Sequence, residues 1–333
     1  MQDTDYGKVN MTVRVHENYL LNQNHYERML QAANYEEAVR VLSDTIYREG
    51  VEEAIRTRDY EPMLMHVLED TYRWLINEIP NKALAELITL QYAYHNIKVL
   101  FKEKKTGQEY QKTLIDLTYY PIYEFRKAVA TLNSDILPQE YIDHIRQMDN
   151  FYSDTPSVND IDIFVDRIYQ EHLVHLAEQL EESDVEHWIR RQIDLQNLSV
   201  YFRGLAMNRS VNHMQAVLSE HGNIKVEEYV QAMGQGLDAA YQHFSQHPDL
   251  RELFMNVNMN HKNSLSQLER EIDKESSNVL SAAKMKVFGP LPVLAYIHAV
   301  EEEVVNIRLI LTGKLNSIDN DIVKERMRLS YAI

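Results

Sequence analysis

One helical stripe recurs three times in this chain, and that recurrence constrains its fold more than any other feature. Near the C-terminus Val293, Ile297, Val300, Val304, Ile307 and Leu311 follow steps of 4, 3, 4, 3 and 4, which lines one side of an α-helix for about five turns. Beside them Ala299, Glu303, Asn306 and Ile310 form a second line, so Glu303 and Asn306 share a flank of the packed face. Moving back 109 positions puts Asn197 on Asn306 and gives the stripe Trp188, Arg191, Leu195, Leu198 and Phe202, with Arg191 the exception and Asp194 on the flank. A further 101 positions back, Asn96 is flanked by Ala83, Leu87, Leu90, Tyr94, Ile97 and Phe101. The three helices superpose without a gap. Thirty-five positions before each Asn stands an acid, Glu61, Asp162 and Glu271, and each opens another helical run.

A period of about 100 residues is too long for a solenoid of two-helix repeats and predicts three homologous helical subdomains instead. Their limits are 1–107, 108–206 and 207–333, with seams at the polar stretch Lys102 to Glu109 and around Gly204 to Ser210. The third is longer, since Tyr241 to Asn306 spans 65 positions against 49 for Tyr47 to Asn96 and 45 for Tyr152 to Asn197. The excess covers Met255 to Gln267 and the Phe288 to Pro292 element. Only 9 Gly and 8 Pro occur in 333 residues, too few for many short strands joined by tight turns, so the fold class is all-α. Three like bodies can ring a pseudo-threefold axis and leave a hollow centre, a shape suited to seating a partner.

Most catalytic chemistry is missing from the sequence. There is no Cys, which removes disulfides, thiolate nucleophiles and Cys-ligated metals. Gly313-Lys314 is followed by Leu315, so there is no P-loop, and Gly234, Gly236 and Ala239 match a dinucleotide pattern only after a helical segment, where two glycines permit close helix contact or a kink. His172 with His175, and His243 with His247, have metal-sharing spacing but no nearby third ligand, and read as exposed helix-surface histidines. Glu301, Glu302 and Glu303 point about 100° apart on a helix and cannot converge as an acid–base pair; Glu301 and Glu302 read as a solvated face. Asn is a poor helix-interior residue, so Asn96, Asn197 and Asn306 predict a repeated structural task, hydrogen-bonding a loop or a neighbouring helix. No cofactor or metal site is expected.

Charge and hydropathy bound the partners. Asp3 and Asp5 stand where a secretory leader would be basic, and no stretch reaches the ~18 uninterrupted apolar residues of a membrane span. With 34 Lys+Arg against 51 Asp+Glu the net charge is −17, which repels nucleic acid and anionic lipid unless a local basic patch intervenes. The densest patch, Lys98, Lys102, Lys104, Lys105 and Lys112, is interrupted by Glu103 and Glu109; it is expected to make charge contacts with a protein partner.

The run Phe288 to Met327 is similar to the C-terminal signature of the C subunit of the prokaryotic V-type (A-type) rotary ATPases, equivalent to the d subunit of the eukaryotic vacuolar enzyme. The residues that carry it are Phe288-Gly289-Pro290, Pro292, Tyr296, Glu301-x-Glu303-x-x-Asn306-Ile307-Arg308 and Lys324-x-Arg326. Length and the three Asn-centred helices also fit. Two positions depart from a full repeat: Ala93 replaces the acid of Asp194 and Glu303, and Thr312 replaces the base of Lys102 and Arg203. The resemblance implies a funnel-like, non-catalytic helical subunit, present once in a hetero-oligomeric complex. It would be attached peripherally to the cytoplasmic face of the membrane through the rotor ring, and would receive the central shaft made by the D and F subunits. It implies no nucleic acid and no membrane insertion. A stand-alone helical adaptor or regulatory protein is the alternative that composition alone leaves open.

Overall fold

The computed structural model describes residues 3–154, 158–234, 236–258 and 264–328. Among the described residues all regular structure is helical, so the expected class is observed. The helices divide between two compact units, one made of residues 1–80 together with 270–333, the other of residues 81–269.

The first unit holds α1 (Gly7–His16), α2 (Gln23–Gln31), α3 (Tyr35–Arg40), α4 (Val51–Thr57) and α5 (Glu61–Glu78). The second holds α6 (Lys82–Thr106), α7 (Ile122–Thr131), α8 (Gln139–Asp154), α9 (Val158–Gln179), α10 (Ser183–Ala206), α11 (Val211–Val217), α12 (Val226–Met233), α13 (Leu237–Gln246) and α14 (Arg251–Met255). Next comes α15 (Ser264–Ser281), and the first unit is completed by α16 (Leu291–Leu315) and α17 (Asn320–Arg326). Residues 259–263 of the third repeat's extra segment lie outside the described residues.

Local chemistry sets several of these boundaries. Asn22 caps α2 in a reciprocal capping box with His25, and Asn34, Asn81, Ser210 and Asp319 each accept a first-turn backbone N–H of α3, α6, α11 and α17. At the polar stretch Lys102 to Glu109, α6 continues through Thr106 and ends on Gly107 at φ +67°, a left-handed stop that costs glycine little. The glycines after α12 serve a turn: Gly236 has φ +87° before α13, and no neighbour lies near enough to meet a side chain at Gly234 or Gly236. Of the two expectations there, close helix contact is not observed, and Gly236 supplies backbone freedom at the change of direction between α12 and α13 instead.

The stripe helices are more buried than a single stripe requires. In α16 both lines are buried, as are Leu294, Glu302 and Gly313 around the remaining circumference. α1, α2, α3, α5 and α17 all pack on it, so it is a central helix enclosed on nearly every side, with polar groups such as Glu302, Glu303 and Asn306 among its buried residues. In the second unit α6 packs on α7 and α9, α9 also contacts α8, α10 and α11, and α10 also packs on α11 and α13. Aromatic side chains fill the space beside α10: Tyr201, Phe202, Tyr229, Phe244 and Phe254 stack edge-on or tilted against one another. Each of the three stripe helices thus packs on the helix that follows it, α6 on α7, α10 on α11 and α16 on α17, and α16 also packs back on helices at the start of the chain.

Candidate functional site: asparagine clamps and the signature helix

The three repeat asparagines are all buried and all do one thing. Asn96 donates from Nδ2 to the Ile115 carbonyl at 2.7 Å and accepts the Ile115 N–H on Oδ1 at 2.9 Å. Asn197 does the same to Ser219 at 2.8 and 2.9 Å, and Asn306 to Arg328 at 3.2 and 2.9 Å. A carboxamide carries the donor–acceptor pair of a peptide group, so one side chain satisfies both polar atoms of a residue that has left its helix. Each clamp ties a helix to the segment 19 or 22 positions further on.

The flanking acids extend two of the clamps. Asp194 accepts the Ile224 N–H and the Asn223 amide, both at 2.9 Å. A Cβ added at Gly222 would collide with the Asp194 carboxylate, so the turn between Ser219 and Ile224 lies directly on it. Glu303 accepts the Leu21 N–H on one oxygen and the Tyr47 hydroxyl at 2.8 Å on the other. Burial pushes the Glu303 carboxyl up to about 7, against the two hydrogen bonds that favour its charged form. Burial likewise raises Asp194, opposed chiefly by the Ile224 N–H. At Ala93 no carboxylate is present, and the asparagine holds the segment together with His95, whose Nε2 lies 2.9 Å from the Thr113 carbonyl.

Outside the clamps, acids near the start of other helices meet bases on the stripe helices. Arg308 on α16 grips Glu61 of α5 with two bonds of 2.6 and 2.9 Å, Lys98 on α6 lies 3.2 Å from Asp162 of α9, and Arg203 on α10 lies 2.5 Å from Glu269 of α15. The first two of these acids are the ones spaced 35 positions before an asparagine; Glu271 itself pairs with Lys274 at 2.5 Å. At the position lacking a base, Thr312 shares a 2.6 Å hydrogen bond with Tyr60. The lysine patch is also partly spent inside the chain, since Lys104 pairs with Asp149 at 2.6 Å.

The signature residues divide into two groups. Gly289 has φ +77°, Pro290 caps α16 and Pro292 lies in its first turn. Tyr296 is buried against Trp74 and His16, whose rings stack at 4.6 Å. Glu301 accepts the Tyr72 hydroxyl at 2.7 Å and Glu302 is buried 3.4 Å from His298. Glu301 and Glu302 therefore do not form the solvated face expected of them, because α16 is enclosed by other helices. Phe288 stands apart as an exposed aromatic member of the signature. In the same unit a cavity of about 620 Å³ opens beside the Tyr296 aromatic group, lined by Tyr19, His66, Asp70 and Trp74 among others. Asp70 is paired with Arg73 at 2.9 Å and His66 lies 3.3 Å from Glu49.

The metal-spaced histidines make ordinary polar contacts: His172 and His175 meet one carboxylate from opposite sides, and His243 and His247 lie near different ones. His172 is buried, correcting the expected surface position: its Nδ1 lies 3.0 Å from the Tyr94 hydroxyl, which also bonds His144, and its Nε2 lies 3.4 Å from Glu140. His175 faces the same Glu140 at 2.7 Å from the outside. His243 and His247 lie 4.0 Å from different carboxylates, Glu228 and Asp249. Among the described residues no group of three or more His, Asp or Glu is placed to hold a metal ion, and no helix is long and apolar enough to cross a membrane. The buried set of Tyr94, His144 and His172 leaves no mark in the sequence because its members are separated by 50 and 78 positions.

Comparison with known proteins accounts for the signature and for the length. The chain matches the ATP synthase (C/AC39) subunit family over residues 9–326. It is 29% identical over 327 residues to the C subunit of the V-type sodium ATPase of Enterococcus hirae, covering 98% of this chain and 99% of that one. To the C subunit of the A-type ATP synthase of Methanococcoides burtonii it is 22% identical, covering 97% and 94%, and to that of Methanocaldococcus jannaschii 24% identical, covering 96% and 85%. With the family matched over nearly its whole length and the signature helix at its core, this chain belongs to the ATP synthase (C/AC39) subunit family.

Proposed function

We propose that this protein is the non-catalytic central-stalk component of a V-type rotary ATPase, joining the shaft of the D and F subunits to the membrane rotor ring from the cytoplasmic side, one copy per complex. The observation that carries the reading is the end-to-end match to C subunits of V-type and A-type enzymes. Its physical content is torque transmission, which needs a body that resists shear. Clamps that tie a helix to a later segment through two hydrogen bonds, repeated at Asn96, Asn197 and Asn306, stiffen the chain in that way. The three repeats, 1–107, 108–206 and 207–333, are read as three bodies about a pseudo-threefold axis, forming a funnel that receives the shaft.

Affinity-tagged protein purified from its own cells with mild detergent tests the proposal. Ring and shaft subunits are expected in the eluate at fixed stoichiometry. Their joint absence, with the tagged chain folded and found only in the soluble fraction, overturns it.

A further inference from the structure

The cavity beside Tyr296 takes no part in the asparagine clamps. At about 620 Å³ it falls within the roughly 300–1,000 Å³ typical of small-molecule sites. Its lining comes from the end of α1, the start of α2, the segment from Asp44 to Glu49, α5, and Tyr296 of α16, all within the first unit.

Several pieces of this lining are held in place by the fold. Buried Glu303 accepts the Leu21 N–H and the Tyr47 hydroxyl, and the residues on either side of those two, Leu20, Asn22, Ile46 and Arg48, all line the cavity. At the start of α2 the reciprocal capping box fixes the Asn22 and His25 side chains, which line it as well. A cavity with held walls needs little ordering when a ligand enters.

The lining contains two distinct clusters. In the first, the rings of Tyr19, Trp74 and Tyr296 lie 6.3, 4.6 and 6.1 Å from that of His16. Burial lowers His16, so this aromatic group is uncharged at neutral pH. In the second, Glu49 and Asp70 lie 3.3 and 3.5 Å from the single imidazole of His66, which can neutralise at most one of them. Their side chains are still 67% and 55% exposed. Arg73 meets Asp70 at 2.9 Å from outside the lining, an exposed pair within one helical turn that leaves carboxylate lone pairs open. The Asp44 carboxylate has no hydrogen-bond or ion-pair partner among the described residues. Against these three carboxylates the lining sets one guanidinium, Arg48.

Charge and shape together select the ligand. A cleft lined mainly by one sign of charge concentrates counter-ions, and aromatic faces attract cations as well. Among the described residues no three His, Asp or Glu are placed to hold a metal ion, so the cation is organic. The carboxylates come from two separate segments, and the volume is many times that of one ammonium head. A ligand with several positive charges spaced along an apolar stem matches both. We propose that this cavity binds a linear polyamine, with its ammonium groups on Asp44, Glu49 and Asp70 and its methylenes against Tyr19 and Trp74.

Isothermal titration calorimetry of the full chain with spermidine at fixed ionic strength tests it, and saturable one-to-one binding is expected. E49Q/D70N, checked for folding by thermal melt, is expected to weaken that binding at least ten-fold. D44N breaks no contact in the fold and is expected to weaken it at least three-fold, which decides the matter should the double variant not fold. D321N/E325Q removes the same charge from exposed positions on α17 and is expected to stay within two-fold of the parent. W188F leaves Trp74 as the sole tryptophan, and its emission is expected to change with the same midpoint as the heat. Absence of saturable binding overturns the proposal, as does parent-like affinity in D44N and E49Q/D70N. Equal weakening by E49Q/D70N and D321N/E325Q overturns it too, since attraction to the acidic surface as a whole would then account for the binding.

Discussion

Asn197 satisfies a buried N–H and a buried C=O with one side chain, so its removal orphans two groups at once. Asn197→Leu is expected to lower stability by roughly 1–3 kcal/mol for each orphaned group, read by urea or thermal unfolding. Asn197→Asp keeps the acceptor but sets a carboxylate oxygen against the Ser219 carbonyl, and is expected to be no better than the leucine at neutral pH and to recover in acid. If neither variant moves the midpoint, the clamp is not structural. Gly222→Ala is expected to destabilise as well, since the new methyl displaces the Asp194 carboxylate from the Ile224 N–H. Glu303 makes stability depend on pH. Its carboxyl sits at about 7 in the fold against an ordinary 4.5, so the folded state holds the proton more tightly than the unfolded chain. The stability tied to that proton is full below about 4.5 and is lost as pH rises through 7. Glu303→Gln removes this titration, and its stability relative to the parent is expected to rise between pH 5 and 8, by roughly 3 kcal/mol at most. Parallel pH profiles for the two proteins would refute the assignment.

Single helices are joined by polar groups as much as by apolar stripes. Tyr94 of α6, His144 of α8 and His172 of α9 meet at one hydroxyl inside the second unit. Burial, then the neighbouring His144 and His175, hold His172 down at about 3, and burial also lowers His144. Both imidazoles are kept neutral in the fold and take up a proton readily once unfolded. The stability from this arrangement is therefore present above about 6.5 and drains as pH falls through the window toward 3. Glu140 and His175 face the same group, and Glu140 is itself raised by burial. In His172→Gln the melting temperature is expected to fall less between pH 7 and 4.5 than in the parent, with circular dichroism as the readout. An unchanged acid limb would place the titration elsewhere. Helix existence and the stripe faces of α6, α10 and α16 are legible from periodicity. Enclosure is not, because a 3–4 pattern marks one packed side and does not say how many neighbours surround the rest. For that reason the pattern predicts a solvated Glu302, and the fold buries it.

At the scale of the whole molecule, the first unit is built from both ends of the chain, with α16 packed among α1, α2, α3, α5 and α17. The two tryptophans fall one in each unit, Trp74 and Trp188. Deleting residues 316–333 removes α17 and the segment held by Asn306. In single-tryptophan versions, the fluorescence midpoint of Trp74 is expected to drop by more than that of Trp188. Equal shifts would mean that the two units unfold as one cooperative body.

By itself the sequence determined an all-helical chain and the family, because periodicity and short motifs are local along the chain. Only the tertiary structure decided what the asparagines hold, since their partners are 19 or 22 positions away in segments with no pattern of their own. It also decided that Phe288 is exposed while Tyr296 and Glu303 of the same signature are enclosed. Exposure depends on which helices close over a residue, and α1, which holds the backbone around Phe288, is about 270 positions distant in the sequence.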